Sequence, residues 1–179
     1  MGLTFPISFT DAVGSISLKS LRGAKEADFM ETFSLNVVGA AEAIKATLPA
    51  LKKGGSADDP ASVVLFSSIA ARHGLANHSI IASAKAGVEG LTVSLAAELA
   101  PVIRVNCVAP SLTNGSTMSQ GMTQNASMVE AIAKAHALPR LGRPEDGAAA
   151  AAYLLSSQHS GWTTGAILPV DGGRSTILK

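Results

Sequence analysis

The sequence has few of the residues that build disulfide frameworks, thiolate metal sites or polyanion-binding surfaces. Cys107 is the only cysteine among 179 residues. A single cysteine forms no internal disulfide and no thiolate cluster, so we predict no metal site and a reducing, cytoplasmic setting. The formal net charge is +1, and no long run of lysine or arginine occurs. Neither nucleic acid nor an anionic membrane surface is therefore the expected partner.

The sequence also has no continuous apolar run long enough for a membrane span. The Ala-rich stretch at residues 147–157 is far too short. The N-terminus has no basic region, and Pro6 and Asp11 interrupt it, which is not typical of a secretory leader. Hydrophobic residues make up 47% of the chain and charged residues 15%, a globular composition. We expect one soluble domain over residues 1–179.

Four apolar segments have the composition of β-strands. Residues 61–68 and 102–110 are rich in β-branched side chains and almost continuously apolar. This pattern is typical of strands covered on both faces of a parallel sheet. Weaker candidates lie at residues 165–171 and at residues 3–9, where Pro6 would confine the strand to an edge.

Helical periodicity fills the intervals between these strands. It covers residues 26–51, 77–100, 126–137 and 144–157. We expect Pro49 to end the first helix, Asn77 or Ser79 to cap the second, and Pro144 to begin the last. The alternation of strands and helices predicts an α/β fold with a Rossmann-like parallel sheet and flanking helices.

Polar residues follow the two strongest strands, at the sheet edge where ligands bind in open parallel sheets. Ser67 and Ser68 end the first strand, and Ser111 comes directly after the second. Lys85 lies in the helix after Ser68. A hydroxyl and an ammonium there would polarise a carbonyl and hold a ribose hydroxyl or a phosphate. Equally open is an interpretation in which the serines cap the chain and Lys85 is solvated.

Several segments, in this order, resemble the short-chain dehydrogenase/reductase family. They are LNVVGA, VVLFSSIAA, ASAKAGVEGL, IRVNCVAPS, LPRLGRPED and TTGAILPVDGG, and the resemblance covers about residues 12–175. It implies an NAD- or NADP-dependent oxidoreductase on a Rossmann sheet, acting on the carbonyl or alcohol group of a small-molecule substrate. It also implies a homo-oligomer, usually a dimer or a tetramer.

The resemblance assigns catalytic roles to three residues. Asn36 resembles the helix asparagine that holds a proton-relay water. Ser68 resembles the serine that polarises the substrate carbonyl. Lys85 resembles the lysine that binds the nicotinamide ribose and lowers the pKa of a neighbouring tyrosine.

The resemblance also assigns residues to cofactor binding. Gly14, in DAVG, aligns with the glycine of the family's NNAG loop. Pro110, Ser111 and Thr113 align with the Pro-Gly loop after the sixth strand, and Ser111 stands where glycine is usual. Lys85 contributes to the same site through the ribose.

One departure from the family pattern concerns the proton donor. Ile81 stands where the family has its tyrosine, four residues before Lys85. Isoleucine neither donates nor accepts a proton, and loss of a positioned donor typically costs about 10²–10⁴-fold in rate. His78 is the candidate substitute, against a capping or solvated role, and His73 is a candidate for substrate contact. The other candidates have expected structural positions: Tyr153 in helix packing, and His136 and His159 at the surface.

A second departure concerns the phosphate-binding turn, which in this family is rich in glycine. No GxxxGxG or GxGxxG pattern occurs in the sequence. The chain is expected to begin at the family's fourth strand, so that the N-terminal half of the sheet, roughly seventy residues, is absent and the domain is partial. That strand would become an exposed edge, which favours pairing with another chain. Three interpretations stay open: a divergent oxidoreductase, a non-catalytic scaffold for binding or oligomerisation, and a fragment of a longer reductase.

Overall fold

The computed structural model describes residues 7–115 and 119–177. Within them the strands form one parallel sheet in the order β1-β2-β3-β4. The strands are β1 (Ser8–Asp11), β2 (Ala61–Phe66), β3 (Ile103–Pro110) and β4 (Ile167–Val170). The predicted α/β fold with a parallel sheet is confirmed. In the described part of the chain β1 is an edge strand, and residues 3–6 of its predicted extent lie outside the description.

Helices connect the strands. They are α1 (Glu26–Phe33), α2 (Gly39–Gly54), α3 (Ser79–Leu99), α4 (Gln120–Thr123), α5 (Ala126–Lys134), α6 (Pro144–Leu155) and α7 (Ser157–Ser160). A π-helical turn, Ser34–Val38, joins α1 to α2, and 3₁₀ turns lie at Leu21–Gly23 and Ile69–Ala71. Pro144 begins α6 as predicted. The prediction that Pro49 ends its helix is wrong: α2 continues to Gly54, because burial of Leu51 beyond the proline holds the last turn against the core.

The core lies on both faces of β2 and β3, which are buried along almost their whole length. On one face α2 and α3 contribute Ile44, Leu51, Val88 and Leu99. On the other face α6 contributes Ala151 and Leu154, which pack on Val64 and Val108. The almost continuous apolar runs in these strands therefore have the expected cause, burial from two sides.

The start of α3 differs from its prediction. His78 is the residue that precedes the helix, and it makes no side-chain capping bond. Asn77 instead has a φ of 63°, a left-handed conformation that asparagine tolerates, and its carbonyl accepts a hydrogen bond from the Lys19 amide. Neither Asn77 nor Ser79 therefore serves as the cap.

Among the described residues, one helix, α3, is long and apolar enough to cross a membrane by length and composition. However, 44% of its most apolar window is buried inside the fold. The helix packs on β3 and α1. The buried residues of α3 are therefore part of the core.

Candidate functional site

Asn36 occupies the π-helical turn between α1 and α2, a type of turn often found at functional sites. It is 2% exposed, and its Nδ2 donates to the Thr32 carbonyl at 2.8 Å and lies 3.5 Å from Ser15 Oγ. Its Oδ1 is buried without a hydrogen-bond partner among the described residues. A buried acceptor without a partner is costly, so this atom marks a place where a water or a ligand group belongs.

Gly14 lies where two polar side chains converge. A methyl group added at Gly14 would be 2.8 Å from Asn36 Oδ1 and 3.3 Å from Lys85 Nζ. The two side chains come from different helices, and the glycine leaves the space that both of them face. The structure thus brings together three residues that the sequence assigned to one site.

Lys85 is 8% exposed, and its Nζ donates to the carbonyl of Phe66, the last residue of β2, at 2.9 Å. The alternative of a solvated Lys85 is therefore wrong. Burial lowers the pKa of Lys85 below its ordinary value of 10.5, and the nearby Cys107 and Asp11 oppose this shift. The lysine is a stronger acid than a surface lysine.

Ser68 follows β2 and caps the 3₁₀ turn Ile69–Ala71. Its Oγ accepts a hydrogen bond from the Ala70 amide at 3.2 Å. The capping role that the sequence left open is therefore present. Because the oxygen is the acceptor in this bond, the hydroxyl hydrogen is left to donate elsewhere, so capping does not exclude a second role in polarising a carbonyl.

Ile81 is 4% exposed and packs in the core one turn before Lys85. His78 precedes the helix, and its Nδ1 lies 2.6 Å from the Ala76 carbonyl. His78 and His73 line a cavity of about 440 Å³ between residues 70–79 and the 3₁₀ turn at Leu21. Neither Ser68 nor Lys85 lines that cavity.

The residues after β3 have hydrogen-bond partners of their own. Ser111 Oγ lies 2.8 Å from Nε2 of His136, and Thr113 Oγ1 donates to the Ser111 carbonyl at 3.2 Å. His136 is 1% exposed. Its expected surface position is wrong, because the chain after α5 folds back onto the end of β3.

The exposure of two other residues tests their expected positions. His159 is exposed, as expected. Tyr153 was expected to pack within its helix, but it is 45% exposed.

A polar network that sequence reasoning missed holds α3 against the end of β2. Ser67 Oγ lies 3.1 Å from both the Lys85 carbonyl and Glu89 Oε1, and the other oxygen of Glu89 pairs with Arg72. Glu89 is buried. The signal was the spacing of Lys85 and Glu89, one helical turn apart on an apolar helix. The network fixes the part of the helix that carries Lys85.

The buried thiol of Cys107 lies beneath this network. Burial raises the pKa of Cys107 from 9.0 to about 12. The thiol is therefore neutral at physiological pH, which gives it a packing role and not that of a nucleophile.

Comparison with known proteins relates most of the chain to one family. The model of the family described as enoyl-(acyl carrier protein) reductase matches residues 9–175. Tropinone reductase-like 3 from Erythroxylum coca is 32% identical over 169 residues, which are 94% of this chain and 62% of that protein. Human dehydrogenase/reductase SDR family member 4 is 36% identical over 160 residues, 89% of this chain and 55% of that protein. The chain thus spans less than two thirds of the length of these relatives.

Solved structures share the fold. A gluconate 5-dehydrogenase from Burkholderia cenocepacia, in complex with NADP and tartrate, superposes with a TM-score of 0.88 at 20% identity, over 96% of this chain and 66% of that one. A short-chain dehydrogenase/reductase from Brucella melitensis, described as a glucose/ribitol dehydrogenase, gives a TM-score of 0.84 at 28% identity, over 95% of this chain and 65% of that one. The first likeness, below 25% identity, concerns the fold alone.

Proposed function

Because the chain belongs to the short-chain dehydrogenase/reductase family of oxidoreductases, we propose that it forms the nicotinamide side of an NAD- or NADP-dependent site that acts on a carbonyl or alcohol. The convergence of Asn36 and Lys85 on Gly14 carries this proposal. Relatives named as reductases support it.

The residues around Gly14 fit the nicotinamide ribose half of such a cofactor. The unpartnered Oδ1 of Asn36 offers an acceptor, and the Lys85 ammonium offers donors for ribose hydroxyls. Pro110, Ser111 and Thr113 stay predictions for this site, and the Ser111 hydroxyl has His136 as its partner. The cofactor, when bound, supplies the hydride. The sequence lacks the Gly-rich turn that holds the phosphates of the cofactor in this family.

Lys85 takes the part of proton donor in this proposal. Ile81 has no proton to give, whereas burial makes the Lys85 ammonium more acidic than usual. Ser68 supports it by donating its hydroxyl hydrogen to the substrate oxygen, a role compatible with its capping bond to Ala70. The substrate oxygen is thereby polarised by one group and protonated by another.

A non-catalytic scaffold is the second candidate, and a specific observation favours it. Ile81 is packed into the core where the family has its acid. The 440 Å³ cavity beside the 70–79 loop does not include Ser68 or Lys85 in its lining. In this alternative Lys85 and Asn36 hold the core in place and bind no nucleotide.

Calorimetric titration with two probes tests the proposal. Reduced nicotinamide mononucleotide is the nicotinamide half of the cofactor, which is the half that the proposed site holds. NADH contains both the nicotinamide half and the adenosine half. We expect saturable one-to-one binding of both probes. Their affinities should lie within about tenfold of each other, because the adenosine half adds little binding free energy. Lys85→Met should weaken binding at least about tenfold, since it removes a charge-assisted donor.

The matched control is Lys45→Met, which removes an exposed lysine on α2. The affinity of the Lys45→Met variant for both probes should equal that of the unchanged chain. No heat of binding for either probe at millimolar concentration would reject the nicotinamide site and leave the non-catalytic scaffold. Equal loss of binding in both variants would show a non-specific charge effect and would also reject the site.

A further inference from the structure

Ser111 and His136 form a pair in a cavity whose lining includes none of Gly14, Asn36 and Lys85. Ser111 follows β3, and His136 follows α5, twenty-five residues later. Ser111 Oγ and His136 Nε2 are 2.8 Å apart, which is hydrogen-bonding distance for a serine and an imidazole base. A serine and a histidine in this relation are the first two members of a nucleophile-activating arrangement.

The second ring nitrogen of His136 determines which atom carries the proton. Nδ1 lies 2.7 Å from the carbonyl of Ile132. A carbonyl only accepts hydrogen bonds, so Nδ1 carries the hydrogen and Nε2 of the neutral ring is a bare acceptor. Ser111 is then the donor, with its hydroxyl hydrogen directed at the base. The Ile132 carbonyl orients the imidazole, as a third group does in serine hydrolases.

Both residues line a cavity of about 580 Å³. Its apolar wall includes Leu138, Leu168 and Ile177. The volume and the mixture of apolar wall with few polar groups are those of small-molecule sites. A substrate in this cavity would therefore reach the Ser111 hydroxyl with an apolar group against the leucines.

Three charged residues complete the lining, namely Asp171, Arg140 and Asp146. The carboxylate of Asp171 lies close enough to His136 to interact with it electrostatically, and a negative charge there stabilises an imidazolium. Arg140 is the cationic residue, and its guanidinium donates two hydrogen bonds to Asp146, which hold it at the wall. The cavity thus has a carboxylate near His136 and an ion pair between Arg140 and Asp146 in its wall.

We propose that Ser111 is a nucleophile activated by His136 and that this cavity accepts small carboxylic esters with an apolar acyl chain. Ser111 Oγ bonds to the ester carbonyl carbon as its proton passes to His136 Nε2, and the carbonyl π electrons move to oxygen. The electrons return, the bond to the alkoxy oxygen breaks, and the leaving alcohol takes the proton from Nε2. Water repeats the sequence on the acyl-serine and releases the carboxylic acid.

A fluorophosphonate and p-nitrophenyl butyrate are the probes. The fluorophosphonate should add covalently to Ser111, as seen by intact mass and peptide mapping. The ester should give a burst of p-nitrophenol close to one equivalent. Ser111→Gly should abolish both signals; glycine is the residue expected at this position from the family, so this variant should fold. Ser127→Ala, at an exposed serine on α5, is the matched control and should label and turn over normally.

The role of His136 has a readout that a structural role would not give. His136→Ala should slow labelling at least about 100-fold, the lower range for loss of a general base. Added imidazole should restore part of the rate by occupying the space of the missing ring. Labelling of His136→Ala at the original rate would overturn the proposal.

The wild-type adduct decides the proposal even if His136→Ala does not fold, because an unactivated serine does not react with fluorophosphonates. Absence of an adduct on Ser111 would overturn it. An adduct that maps to another serine would do the same. Both probes are assayed without nucleotide, and the cavity lining includes none of Gly14, Asn36 and Lys85, so failure of this proposal is distinguishable from failure of the nicotinamide site.

Discussion

Lys85 on α3 and Phe66 at the end of β2 are joined by a hydrogen bond of 2.9 Å from the ammonium to the main-chain carbonyl. The bond places a buried cation against the sheet edge where parallel α/β folds bind their ligands. A carbonyl compensates an ammonium less well than a carboxylate would, so the charge of Lys85 keeps part of its desolvation cost. This cost has measurable consequences.

Stability should depend on pH through Lys85. Its pKa is lowered in the folded chain relative to the ordinary 10.5 of the unfolded chain. Between the folded and the unfolded pKa of Lys85, the unfolded chain binds more protons than the folded chain, so the free energy of unfolding rises with pH. Below the folded pKa, Lys85 is charged in both states and its burial lowers the stability by the full amount. The stability of Lys85→Met relative to wild type should therefore fall as pH rises towards 10.5, as measured by urea unfolding. A difference independent of pH would contradict this.

A phenol at position 81 should raise oxidoreductase turnover if the site is otherwise competent. Ile81→Tyr adds a phenolic donor where the family has its tyrosine, so that proton transfer no longer depends on Lys85 alone, and the gain should be about 10²–10⁴-fold with NADPH and a reactive carbonyl such as an α-diketone. Ile81→Phe is the matched control, because it adds the same ring to a buried position without the hydroxyl. Equal rates for the two variants would show that Lys85, Ser68 and Asn36 do not form a working site with this residue.

Glu89 should be important for stability through its buried contacts. Glu89→Ala leaves the Ser67 hydroxyl and the Arg72 guanidinium without this carboxylate, and we expect a loss of about 1–3 kcal/mol in the free energy of unfolding. Glu98→Ala, at an exposed glutamate on the same helix, should change it by no more than about 0.5 kcal/mol. Chemical denaturation of both variants compares them directly, and similar losses would contradict the network's role.

Self-association should depend on apolar residues exposed on the long helices. Val93 on α3 is 53% exposed, and Met30, Phe33, Leu35 and Val38 are exposed on α1 and the π-helical turn. We expect a dimer or a larger assembly by light scattering at micromolar concentration, and Val93→Lys should shift it towards monomer. Trp162→Lys, which removes an exposed tryptophan before β4, should leave the mass unchanged. A monomeric wild-type chain would contradict the prediction.

The arrangement of strands and helices was predictable from the sequence because its signals are local. The runs that became β2 and β3 are apolar on both faces, and periodicity of three and four marks α3. The resemblance placed Asn36, Lys85 and Gly14 in one site, and the structure brings them together. The strands and the helix follow from side chains whose burial pattern is repeated along one segment, whereas the site residues follow from the resemblance.

The tertiary structure alone decided the pairings between distant segments. Pro49 lies inside α2 because Leu51 beyond it is buried. The sequence around Pro49 shows that the proline lacks an amide hydrogen for the helix, but it does not show that burial of Leu51 compensates for this loss. The sequence predicts a surface position for His136. In the structure the chain after α5 folds onto the end of β3, and Ser111 becomes the partner of His136. Such contacts depend on which segments the fold brings together, and a sequence pattern specifies the face of a helix but not what that face will meet.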